Sequence, residues 1–166
     1  MGWLLAISLG LAGCSPTFNW RTIPVGPDGV KALLPCKPDR GSRYQTLAGQ
    51  TVNMHMVGCE AGGMVFAVAY VELGADSLVK PAQQQWQAAW LVNMQAATHQ
   101  VIPLTAPPGV TQHVRLSAQG QRGDGQRVYA QALWFARGKH LYHAVAYGEA
   151  AGTETSEPFF SGFEFP

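Results

Sequence analysis

The sequence predicts an α+β fold: an antiparallel β-sheet with a long helix packed on one face and a short helix or loop on the other. Three observations carry that expectation. The stretch from Gln126 to Tyr147 reads as two long strands meeting at Arg137-Gly138-Lys139, a polar turn containing the residue type that tolerates positive φ. Its first strand alternates Val128, Ala130, Ala132 and Trp134 with Tyr129, Gln131, Leu133 and Phe135. Period-two patterning sends these sets to opposite sides of a sheet. Both sets are largely apolar, so both sides of the hairpin should be covered. Arg43 to Leu73 reads as a three-stranded meander joined by glycine turns. Pro81 to His99 repeats Ala82, Trp86, Ala89, Trp90, Asn93, Met94 and Ala97 at three- and four-residue steps, the signature of one helix face.

In chain order, Trp20 to Val25 and Val30 to Leu34 are short strands around the turn Gly26-Pro27-Asp28-Gly29. Pro35 and Pro38 stop the second strand, because proline supplies no ladder donor. Asp39 to Ser42 turns the chain into Arg43 to Ala48, followed by Thr51 to Cys59 and Met64 to Glu72. After the helix, Pro103 to Gly109 is a proline loop, and Thr111 to Gln119 is a strand leading to the hairpin. Pro158 to Ser161 is a helical turn, and Gly162 to Phe165 a last short strand.

Composition narrows the function classes. The 166 residues suffice for one core and are too few to expect two. Charged residues make up 13% against 47% hydrophobic, and the net charge is +1. That balance provides no basic footprint for a phosphate backbone, so no nucleic-acid partner is expected. No G-x-S-x-G or H-E-x-x-H occurs, and Asp28, Asp39, Asp76, Asp124, Glu149 and Glu154 fall in predicted turns or loops. No nucleophile–base set can be assembled, so a catalytic role and a cofactor are not expected.

The N-terminus is the most specific stretch. Trp3 to Leu11 is apolar, too short to span a bilayer and of the length of a secretory signal. It ends in Leu11-Ala12-Gly13-Cys14, which resembles the lipobox of bacterial lipoproteins. In that family the cysteine sulfur takes a diacylglyceryl group, the signal is cut before it, and the new amino terminus is acylated. The resemblance implies a signal over 1–13, a lipidated tether over 14–19 beginning at Cys14, and a single α+β domain over 20–166. Ser15 stands where enterobacterial lipoproteins retained in the inner membrane carry Asp, so the implied destination is the outer membrane, facing the periplasm. No Lys or Arg precedes the apolar run, where signal peptides usually carry a positive segment. A buried N-terminal helix therefore stands as the alternative.

With Cys14 lipidated, Cys36 and Cys59 remain as an even pair in an oxidising compartment. A disulfide is expected; two buried thiols, or a metal or redox pair, are the alternatives. The order of elements, with Val30 to Pro38, Gly138-Lys139-His140-Leu141-Tyr142 and the closing Phe159 to Phe165, resembles small secreted domains related to the PsbP-like proteins of photosystem II. That resemblance implies a sheet sandwiched between helices and an accessory, non-catalytic role. The expected function is thus a membrane-anchored envelope protein that binds or scaffolds an envelope partner. The alternative is a periplasmic protein for copper or a small hydrophobic ligand. Met54, His55, Met56 and His113 are the candidate soft-metal ligands, since thioether and imidazole suit Cu(I). Strand alternation already sets His55 opposite the two methionines. Trp86, Trp90, Trp134, Tyr129, Tyr142 and Tyr147 are the candidate aromatic lining, or simply core.

Overall fold

The structure, a computed structural model, describes residues 16–121, 123–149 and 153–166. Within them, β1 (Arg21–Pro24) and β2 (Lys31–Leu34) form a two-stranded antiparallel sheet. The large sheet takes β3 (Asp39–Leu47), β4 (Gln50–Ala61), β5 (Met64–Glu72), β6 (Thr98–Ile102), β7 (Thr111–Gln121), β8 (Arg127–Arg137) and β9 (His140–Gly148). Its order is β3-β4-β5-β9-β8-β7-β6, antiparallel throughout. A 3-10 turn, Asp76–Leu78, leads into α1 (Val79–Asn93), and α2 (Thr153–Ser161) follows β9.

The expected α+β class, with a long helix on one face and a short helix or loop on the other in the manner of a PsbP-like sandwich, is corrected. The described residues are mostly β, with 51% strand and 18% helix. Two physical causes account for this. The periodic stretch does not stay helical to His99: α1 ends at Asn93, Gln95 takes φ 48°, and the chain reverses into β6. Of α1, only Val79, Ala82, Gln83 and Trp86 are buried, so the helix covers the sheet with its N-terminal half. On the opposite face a second sheet, not a loop, does the covering. Val25 and Val30 of the connecting turn and Ala32 and Leu34 of β2 pack with Phe159 and Phe160 of α2 against Phe66, Val68, Phe135 and Tyr142.

Alternation along β8 and β9 divides the interior into two cores. Leu133, Phe135, Tyr142, Ala144 and Ala146 face α2. Ala132, Trp134, Ala136 and Leu141 face α1, with Val71, Leu116 and Met54. The central hairpin is therefore covered on both sides, as its two apolar sets require. Asp39 to Ser42 belong to β3 instead of a turn, and the terminal strand reduces to one bridge between Lys31 and Glu164. Phe18, placed in the tether by the sequence reading, stacks on Trp20 with ring centroids 5.9 Å apart and packs against the α2-side core.

Candidate functional site

A groove of about 340 Å³ lies on the α1 face, between α1 and strands β3, β4, β5 and β9. Its size falls within the range of small-molecule sites, roughly 300 to 1,000 Å³. The register explains why it is open. Met56 pairs with Ala69, Ala69 with His143, and His143 with Trp134, so one row of side chains crosses four strands. In the next row Gly58 pairs with Ala67 and Ala67 with Val145. Ala69 thus stands between the larger Met56 and His143, Gly58 and Ala67 keep the next row low, and Ala89 on α1 overhangs the same space. Trp86 and Trp90 form the helix wall, Met54 and Met56 the strand wall, and Arg43, Gln45, Gln85 and Asn93 also line it.

His143 carries the chemistry of this groove. It is 8% exposed and stacks on Trp134 at 4.6 Å and 11°, with the edge of Trp86 at 5.1 Å. Burial pushes its imidazole down to about 3, so it is neutral near pH 7. Among the described residues neither His143 Nε2 nor Trp134 Nε1 has a hydrogen-bond partner. Each orphaned group forgoes about 1 to 3 kcal/mol. Buried polar atoms are paired in the great majority of cases, so two adjacent exceptions beside an open groove call for a cause.

The sequence-predicted soft-metal residues are not all brought together. Met54 and Met56 line the groove, whereas His55 sits on the opposite face, exposed and stacked on Tyr70 at 4.9 Å. His113 lies on β7, with β5, β9 and β8 between it and β4. Burial lowers its imidazole pKa, opposed by the hydrogen bond the ring donates to the backbone carbonyl of Thr105. Among the described residues no group of three or more His, Cys, Asp or Glu side chains is placed to hold a metal ion. The histidine that shares a groove with the methionines is His143, which sequence reading assigned no site role. Parity along each strand could have put it on the face of Trp134, but its pairing through Ala69 to Met56 requires the sheet order. Of the aromatic residues, Trp86, Trp90 and Tyr147 line the groove and Trp134 lies behind His143. Tyr142 faces the other core.

Tyr142 belongs to a separate polar cluster at the tip of the β8–β9 hairpin. Its hydroxyl donates to Asp28 Oδ2 at 2.9 Å, and His140 Nδ1 lies 2.9 Å from Asp28 Oδ1. Burial first, and then Asp28, push the phenol pKa upward. Glu72 accepts from Lys139, which holds its carboxyl below the usual range. This cluster contains no activated nucleophile; it ties the β1–β2 turn to the large sheet.

Cys36 and Cys59 form a disulfide with Cα atoms 6.0 Å apart, linking the segment after β2 to β4. The free-thiol, metal and redox alternatives for this pair give way to it. Cys14 lies outside the described residues, with the whole of 1–13. Among the described residues no helix is long and apolar enough to cross a membrane. No protein-family model matches the chain, and no curated protein matches it significantly.

Proposed function

We propose that this chain is a lipid-anchored envelope protein, held at Cys14 in the outer membrane and facing the periplasm, whose domain binds a small, largely apolar molecule without catalysing a reaction. The observation that carries the binding role is the groove under α1, walled by Trp86, Trp90, Met54 and Met56 and flanked by His143 Nε2, which has no hydrogen-bond partner among the described residues. An apolar body would gain from burial against the indoles and thioethers, about 25 cal/mol per Å² of apolar surface. One polar group on the ligand would reach the imidazole and fix its orientation. The anchor rests on Leu11-Ala12-Gly13-Cys14, and the Cys36–Cys59 disulfide supports an oxidising compartment.

A second reading has one observation of its own. Met54, Met56 and His143 line the same groove, and two thioethers with a neutral imidazole suit Cu(I). Both readings are tested on one protein. Titration with the neutral fluorophore N-phenyl-1-naphthylamine is expected to give saturable binding. Ala69→Phe or Ala89→Trp, which fill the groove, should abolish it. Equal binding by the filled variants would place the probe elsewhere and end the apolar-ligand reading. A Cu(I)-induced rise in melting temperature, lost in Met56→Leu, would favour the metal instead. For the anchor, intact mass of the membrane-extracted chain should show a mature protein starting at acylated Cys14; an unprocessed chain would remove it.

A further inference from the structure

The opposite face of the sheet holds a second hollow, of about 200 Å³, bounded by β6, β7, β8 and the first turn of α2. Two cross-strand rows build it. Gln100 pairs with Ser117 and Ser117 with Gln131; Thr98 pairs with Gln119 and Gln119 with Tyr129. Because partners in register point to the same side, these six side chains form one patch of amides and hydroxyls. Met64 and Ala146 supply an apolar base. Among the described residues lining it none carries a fixed charge.

One of these groups is pre-set. Gln131 is 7% exposed, and its Oε1 accepts from both Nε and Nη2 of Arg115, the former at 3.1 Å. Arg115 is itself fixed from the other side: Glu157 Oε2 lies 2.8 Å from Nη2, and the Phe160 ring lies 4.2 Å from Cζ. With the amide oxygen committed to a guanidinium, the amide nitrogen of Gln131 faces away from Arg115. A donor held this way is ordered before any ligand arrives, which removes part of the entropic cost of binding.

The lining selects a ligand class. A charged ligand would be taken out of water with no counter-charge among the described lining residues, and an apolar one would cover the amides and hydroxyls without offering them partners. What fits is a neutral molecule dense in hydrogen-bonding groups with some apolar C–H surface. We infer that this hollow is a carbohydrate site, sized for a single sugar ring, in which Gln131 donates to a ring substituent and Arg115 is the positioning residue. The site is independent of the groove under α1 and stands or falls separately from it.

The test is calorimetric titration of the full chain with chitotriose, cellotriose and maltotriose. At least one is expected to bind with a Kd of about 1 mM or tighter. Gln131→Glu keeps an acceptor for Arg115 and turns the donor into a carboxylate oxygen, so it should weaken binding about tenfold or more through the lost oriented hydrogen bond. Gln119→Ala should also weaken it while retaining the wild-type melting temperature, and Ala69→Phe should leave it unchanged. No heat with any of the three sugars from a protein that melts cooperatively would overturn the inference. So would binding that ignores both Gln131→Glu and Gln119→Ala.

Discussion

His143 shows how much one residue carries here. In the unfolded chain its imidazole titrates near 6.5, and in the folded protein near 3, because burial disfavours the cation. Between those values the unfolded chain binds more protons, so stability rises with pH across the window and is fully present above it. As pH falls from about 7 to about 5, this residue alone should remove about 2 kcal/mol. His113 is shifted the same way and adds to the trend. His143→Phe, which keeps a ring against Trp134, should flatten the acid limb in urea unfolding at the two pH values. Parallel profiles for wild type and variant would show that the imidazole is not neutral in the fold.

The elements differ in how plainly the sequence announces them. β5 runs from Met64 to Glu72, the bounds its alternation gives, because Phe66 and Val68 on one side and Ala69 and Val71 on the other are buried in the two cores. The start of β3 is hidden for the opposite reason. Asp39 to Tyr44 are exposed on both faces of an edge strand, so no apolar period marks them. β6 is hidden by its neighbour: Trp86, Trp90 and Met94 continue a true helical stripe to the point of reversal, and Gln95 adopts positive φ with no glycine to signal it. That reversal depends on a close approach. Ala97 N donates to Gln119 O at 2.9 Å and Gln121 N to Met94 O at 3.0 Å, and a Cβ on Gly120 would stand 1.9 Å from Met94 O. Gly120→Ala should therefore destabilise by about 2 kcal/mol or more through overpacking against backbone. Gly123→Ala, where a Cβ meets nothing within 4 Å, should stay within about 0.5 kcal/mol in the same denaturation assay.

At the scale of the whole molecule, strand order creates what the local sequence does not display. Met56 and His143 come into one groove only because β5 lies between β4 and β9 and carries alanine at the crossing. Gln100, Ser117 and Gln131 align only through the β6-β7-β8 register. The methionines and tryptophans were legible as candidates; their partner histidine was not, since its parity is local and its neighbours are distant in sequence. The apolar hairpin fixed the expectation of two covered faces, while the presence of a second sheet on one of them depends on β1–β2 folding back over Phe66 and Phe135. The disulfide between the segment after β2 and β4 joins those two layers covalently.

The central claim, that the groove under α1 is a binding site, is tested most directly by the indole N–H resonances of Trp86, Trp90 and Trp134 in two-dimensional NMR, each assigned by a Trp→Phe variant. Adding N-phenyl-1-naphthylamine should move the signals of Trp86 and Trp90, which wall the groove, and that of Trp134, whose ring stacks on His143. The signal of Trp20, on the far side of the sheet, should stay in place. A titration that moves Trp20 and leaves the three groove indoles unmoved would contradict the account.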